Sequence, residues 1–149
     1  MVKRIYLREA ESKDYEGIEK LLNEADLIED EFDFNRKTFN RMLKKNRGYY
    51  FVAETKDKEI VGNIFATNDG GYCGFIYKMA VSEEYRGRKI GSRMLKKIID
   101  KLDENNIPII YAHVRRTNRS SRRVLRSKGF EIMRGYYDKK PVDILCRSK

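Results

Sequence analysis

The 149-residue chain has no tryptophan, two prolines, two cysteines and a single histidine. Cys73 and Cys146 are far apart and His113 stands alone, so a structural zinc site is all but excluded and a disulfide framework is not expected. No stretch approaches the ~18 uncharged apolar residues of a membrane-spanning helix. Met1-Val2-Lys3-Arg4-Ile5 runs straight into mixed polar sequence without a signal-peptide core. A cytoplasmic protein with no membrane partner is the expectation. Linkers, repeats and low-complexity tracts are also missing, and Pro108 and Pro141 each open an apolar run. At ~100–200 residues per domain, residues 1–149 read as one domain. Apolar residues (40%) barely outnumber charged ones (38%), but they fall in periodic clusters, which argues against disorder.

Charge is unevenly spread. Residues 1–75 hold 13 Lys+Arg against 15 Asp+Glu, and residues 76–149 hold 20 against 8. The second half therefore attracts polyanions, either a nucleic acid or a phosphate-rich cofactor, unless it is merely solvated surface.

Ile5 to Glu9 reads as a first strand. Ser12 and Asp14 offer caps for a helix carrying Tyr15, Ile18, Leu21, Leu22 and Ala25 at helical spacing. An acidic loop from Glu24 to Asp33 and a short helix holding Phe39, Met42 and Leu43 follow. Tyr49–Glu54 and Ile60–Ala66 flank Lys56-Asp57-Lys58 as a hairpin, and Tyr72–Val81 makes a further strand. A long helix comes next, with Met94, Leu95, Ile98, Ile99 and Leu102 on one face. Pro108–Val114 is a strand, Asn118–Lys128 a helix closed by a left-handed Gly129, and Phe130–Tyr137 with Val142–Cys146 a final hairpin. The class is mixed α/β. A mostly antiparallel central sheet contains one parallel strand–helix–strand unit, and helices cover both faces.

The stretch Met79-Ala80-Val81-Ser82-Glu83-Glu84-Tyr85-Arg86-Gly87-Arg88-Lys89-Ile90-Gly91-Ser92 ends a strand, turns through a basic loop and opens the long helix. The first N–H groups of a helix have no internal partner and its dipole favours an anion. Gly87 and Gly91 let backbone approach a bulky ligand, and Arg86, Arg88 and Lys89 add positive charge, which together suit a pyrophosphate. No Gly-Lys-Ser/Thr follows, so this is not a Walker loop. Nor is it the first turn of repeated βαβ units, as a dinucleotide fingerprint requires.

This loop resembles the acetyl-CoA signature of the GNAT N-acetyltransferase superfamily, Arg/Gln-x-x-Gly-x-Gly/Ala. Arg86 and Gly91 match, and Lys89 replaces the middle glycine. Tyr111-Ala112-His113-Val114-Arg115-Arg116-Thr117-Asn118 resembles the corresponding stretch of protein N-terminal and ribosomal-protein alanine acetyltransferases, and Lys128-Gly129-Phe130-Glu131 closes the helix as in that superfamily. The resemblance implies a single N-acetyltransferase domain over 1–149, monomeric or homodimeric, that uses acetyl-CoA to acetylate a primary amine, a peptide N-terminus or a small cationic amine. It implies that Met79, Ala80, Val81, the Arg86–Ser92 loop (Arg86, Gly87, Arg88, Lys89, Ile90, Gly91, Ser92) and Asn118 hold the cofactor, with no metal.

The resemblance also implies that His113 is the general base, since an alkyl ammonium with a pKa near ~10 must lose its proton before attacking a thioester; by itself, a single histidine on a strand reads as a structural residue. A tyrosine acid is common in relatives seven residues after the Asn, where this chain has Leu125. Tyr136 and Tyr137 are alternatives that read more simply as packing. Asn118 also suits a helix cap, with its backbone capping while its side chain reaches the cofactor. Glu29-Asp30-Glu31-Phe32-Asp33 would favour a cationic acceptor or serve as ordinary surface. The arginines from Arg115 to Arg126 form the densest basic cluster. One or two suit a phosphate and the rest read as solvated surface. Two rival readings remain: a CoA-binding sensor without catalysis, and a nucleic-acid or ribosome-binding module. Aromatic residues are not interleaved with the basic cluster as a base-stacking platform needs, which weighs against the module.

Overall fold

The computed structural model describes residues 3–27, 34–116, 118–137 and 140–148, without the side chains of 134–137 and 140–143. The β-branched and aromatic runs form seven strands: β1 (Ile5–Glu9), β2 (Tyr50–Thr55), β3 (Ile60–Asn68), β4 (Cys73–Val81), β5 (Ile109–Arg115), β6 (Glu131–Tyr137) and β7 (Lys140–Ser148). The helices are α1 (Tyr15–Glu24), α2 (Arg36–Lys45), α3 (Ile90–Glu104) and α4 (Arg119–Ser127). One sheet runs β1-β2-β3-β4-β5-β7-β6, antiparallel throughout except for the β4–β5 pair, which α3 joins as a crossover.

Alternation along the strands divides the core. On one face Phe51, Ala53, Ile76, Ile110 and Ala112 meet Met94, Leu95, Ile98 and Leu102 of α3 and Leu125 of α4. On the other, Tyr50, Val52 and Phe65 meet Ile18, Leu21 and Leu22 of α1 and Phe39 of α2. Each fully buried Leu or Ile contributes roughly 1.5–3 kcal/mol, so the apolar stripe of α3 is a major anchor of that helix.

Two irregularities in β4 shape the functional end of the sheet. The β4–β5 ladder runs from Cys73↔Ile109 only to Ile76↔Ala112. Beyond it β4 continues to Val81 along β3, and β5 continues to Arg115 along β7, so the sheet forks. Just past the fork β4 carries a bulge. Ala80 faces Asn63 and Tyr77 faces Phe65, leaving Ile64 opposite both Lys78 and Met79. Lys78 adopts φ +49°, and its carbonyl accepts a 3.0 Å hydrogen bond from Nδ2 of the fully buried Asn63. The extra residue inverts the alternation, so that Tyr77 and Ala80 share a face while Met79 and Val81 pack with α3.

The expected caps of α1 are used differently. Ser12 Oγ donates to Asn40 Oδ1 at 2.7 Å, tying the chain to α2. Asp14 accepts from the Glu11 N–H at 2.7 Å and from both terminal nitrogens of Arg8, at 2.7 and 2.8 Å. Arg8 also donates to Glu54 at 2.6 Å. Burial pushes the Asp14 carboxyl up, but Arg8 and the Glu11 N–H outweigh it and hold the group below its ordinary value. Arg8 holds Glu54 down against a smaller burial effect. Both carboxylates have depressed folded-state pKa values, so their contribution is present above the unfolded values and is lost as pH falls through the folded ones. Arg8→Met should strand the Asp14 carboxylate and leave Glu54 with Lys58, whose Nζ lies at 3.3 Å, at a cost of ~3 kcal/mol near neutrality. Urea melts at pH 7 and pH 3 should show that deficit shrinking in acid.

Candidate functional site

The loop from Ser82 to Lys89 enters α3 through alternating backbone hands. A 3-10 turn at Glu83–Tyr85 buries Tyr85, and Gly87 (φ +76°) and Lys89 (φ +60°) are left-handed. Lys89 is the N-cap of α3 and supplies no side-chain cap. The N–H groups of Ile90, Gly91 and Ser92 are therefore the orphan donors of the helix start, at the end where β4 leaves the fork. Such a turn–helix entry is an anion-binding concavity. A Cβ on Gly91 would meet only Val81 Cγ2, at 3.7 Å, so the protein's own packing does not demand a glycine there. That open backbone fits a ligand that needs close approach.

The other loop residues sort by contact. Ile90 is 2% exposed and belongs to the core, so only its N–H is available to a ligand. Arg86 Nε donates to the Val81 carbonyl at 3.3 Å, and the Arg88 guanidinium lies 5.0 Å from the Tyr85 ring. Arg86, Arg88 and Lys89 are exposed. Lys89 occupies the left-handed conformation that a glycine adopts freely, so the substitution keeps the loop's shape at a strain of ~1–2 kcal/mol. Lys89→Gly should relieve that strain, offset in part by the greater unfolded-state freedom of glycine. The expected net gain is a melting-temperature rise of ~2 °C, measured by thermal unfolding.

Across the fork, β5 ends beside α4. Asn118 caps α4 through its side chain: Oδ1 accepts from the Ser121 N–H at 3.2 Å. Its carbonyl also accepts from the Arg122 N–H at 3.2 Å, so backbone and side-chain oxygen both cap the helix, and Nδ2 is not used in the cap. His113 is the first β5 residue beyond the last β4–β5 pair, exposed, with its ring edge-on to Phe75 at 6.3 Å. It shares a face with Tyr111, as alternation predicts.

That face carries a row of rings that the sequence reading did not single out. Tyr50 stacks on Phe65 (4.8 Å), Phe65 on Tyr77 (5.2 Å), and Phe75 on Tyr111 (5.3 Å). Tyr50 and Phe65 lie under α1 and α2, whereas Tyr77 is 40% exposed and Phe75 and Tyr111 are half-buried. The visible signal was an aromatic at every second position of Phe75-Ile76-Tyr77 and again at Tyr111.

Leu125 is 1% exposed in the core and so holds α4 to α3. Residues 29–33 of the acidic loop, and the side chains of Tyr136 and Tyr137, lie outside what is described. Cys73 and Cys146 are strand residues, and burial pushes the Cys146 thiol up, with smaller contributions from Cys73 and Glu131. No cluster of metal ligands occurs among the described residues. No described helix is long and apolar enough to cross a membrane.

The sequence profile of the Acetyltransferase (GNAT) family matches residues 6–130. An acetyltransferase of Pectobacterium atrosepticum is 30% identical over 109 residues, covering 70% of this chain and 72% of that protein. Two solved structures share the fold. One is yncA of Salmonella typhimurium with its cofactor acetyl-CoA (TM-score 0.79, 18% identity, 97% of this chain and 94% of that one). The other is Arabidopsis thaliana Naa50 in complex with the bisubstrate analogue CoA-Ac-MVNAL (TM-score 0.77, 22% identity, 97% and 99%).

Proposed function

The chain belongs to the GNAT acetyltransferase family, and from that premise we propose that it is an acetyl-CoA-dependent N-acetyltransferase whose acceptor is the amino terminus of a peptide. The observation that carries this reading is the forked sheet, with an anion-binding helix start at its mouth and a lone histidine on its rim.

When bound, acetyl-CoA supplies an activated thioester. The orphan N–H groups of Ile90, Gly91 and Ser92, with Arg86 and Arg88 beside them, hold its pyrophosphate. Past the fork, Lys78 to Val81 have β3 on one edge and, among the described residues, no strand on the other, so their backbone groups can pair with an extended arm of the ligand. Asn118 Nδ2 donates to that arm from the opposite side. Backbone N–H groups at the Lys78 bulge meet the negative charge that develops on the carbonyl oxygen. His113 takes the proton from the attacking amine. An α-amino group, with a pKa near ~8, gives it up more readily than an alkyl amine near ~10. The departing thiolate has a modest proton affinity, near ~8.5, so burial of Leu125 where relatives place an acid does not block the reaction.

A peptide is favoured over a small cationic amine by the half-exposed row Phe75, Tyr77 and Tyr111 next to His113, which suits an apolar first side chain. The complex of the similar Naa50 with a CoA–peptide analogue supports the same choice.

The test is direct. Acetyl-CoA at 100 times its dissociation constant should add ~2.7 kcal/mol of stability, a melting shift of roughly 5–10 °C. Arg86→Ala with Gly91→Val should abolish the shift in a folded protein. Thiol release should then be screened against peptides with varied first residues and against polyamines. No shift and no turnover would sink the enzyme reading, and turnover with polyamines alone would overturn the choice of acceptor.

A further inference from the structure

We infer that α4 carries a second anion-binding surface, a stripe of guanidinium groups that docks the phosphodiester backbone of a nucleic acid. Arg119, Arg122, Arg123 and Arg126 fall at i, i+3, i+4 and i+7, and these four alone line one surface groove. Arg119, Arg123 and Arg126 are exposed, and no ion pair is formed by any of these three among the described residues. The helix contains no carboxylate. Neighbouring charges are treated differently: Lys96 of α3 pairs with Asp100 at 2.5 Å and Arg147 with Asp103 at 3.1 Å.

Arg122 donates to the Arg116 carbonyl at 3.0 Å, but the exposed three still make two like-charge pairs, Arg119 with Arg123 at i,i+4 and Arg123 with Arg126 at i,i+3, each costing a few tenths of a kcal/mol, a self-repulsion that an external polyanion would reverse. The stripe spans ~10 Å along the helix. It begins beside Asn118 at the fork and ends two turns away from it. A single phosphate monoester on a cofactor would engage one or two guanidiniums, which leaves the distal pair, Arg123 and Arg126, without a use in acetyl transfer. A lipid surface fits less well, because an interfacial helix presents an apolar face to the bilayer and that of α4 is committed to the core through Leu125 and Val124. No aromatic residue lies on α4, so recognition is of phosphates rather than bases, with micromolar affinity and steep salt dependence.

The test is the binding of a labelled 20-nucleotide single-stranded RNA across a salt series. Arg123→Gln/Arg126→Gln should weaken binding ~10-fold at low salt and reduce the slope of log K against log [salt] by about 1.4, since each lost contact removes roughly 0.7. Lys96→Gln/Lys97→Gln, which removes the same charge from α3, should change the slope by less than half as much. The acetyl-CoA melting shift of the Arg123→Gln/Arg126→Gln protein should match that of the wild type. Equal losses from both double variants would reduce the effect to net charge and overturn the inference. So would a lost acetyl-CoA shift with RNA binding intact, or binding to phosphatidylserine vesicles without binding to RNA. Because the readout is RNA binding, a failure of the acetyltransferase reading would leave it untouched.

Discussion

His113→Ala is expected to lower kcat/KM for a peptide acceptor by ~100-fold or more while leaving the acetyl-CoA melting shift in place. The ring sits at the first β5 position beyond the last β4–β5 pair, exposed on the face opposite α3 and α4. There it would face the proposed ligand in the fork without blocking the fork's backbone. Phe75 packs edge-on against the ring and Tyr111 lies on the same face, stacked on Phe75. The wild-type rate should rise with pH through one ionisation, and that limb should vanish in the variant. Imidazole added to the His113→Ala protein should restore part of the rate. Full activity with an unchanged pH profile would move the base elsewhere, with Tyr77 the next residue to replace, because it occupies the matching position on β4.

Features written in local sequence were legible. Ile5–Glu9 has both bounds as read, the α3 stripe from Met94 to Leu102 is buried as its spacing demands, and Gly129 is left-handed at φ +88°. The parallel β4–β5 pair followed from a strand–helix–strand order that leaves little topological choice. What was not legible depends on register between distant segments. Nothing near Ile76 or Ala112 says that their ladder stops there, because the parting of β4 and β5 is decided by which outer neighbours, β3 and β7, each strand continues to pair with. The bulge is similarly hidden: Cys73 to Val81 reads as an unbroken strand, and the extra residue shows only against β3. Asp14 was read as a cap, while its structural partner Arg8 lies on a different element, where a cap rule does not look. The one local hint of the bulge was Asn63, a lone amide inside the apolar run Val61 to Ala66.

Asn63→Leu is expected to lower kcat by ~10–50-fold while moving the KM for acetyl-CoA by less than ~3-fold. The side chain is fully buried, and its Nδ2 donates to the Lys78 carbonyl. A non-glycine residue at φ +49° costs of order 1–3 kcal/mol and persists only where its surroundings hold it. Lys78 is held twice, by Asn63 at its carbonyl and by its own Nζ, which donates to the Leu27 carbonyl at 2.5 Å. Leucine keeps the volume and the apolar contacts of the strand but removes the first anchor and leaves a buried carbonyl unpaired. The bulge then relaxes toward a regular ladder, and the N–H groups proposed to meet the developing oxyanion turn away from it. Losing one such donor elsewhere costs 10²–10³-fold, so a partial re-aiming sits below that range. The pyrophosphate contacts proposed at Ile90, Gly91 and Ser92 are on a different element, which is why cofactor affinity should hold. A purely structural role would instead lower the melting temperature and spare kcat in the folded fraction. Lys78→Gly in the Asn63→Leu background separates the two: glycine accepts the left-handed conformation unaided, so it should recover part of the lost kcat if Asn63 acts by holding the bulge, and none if it does not.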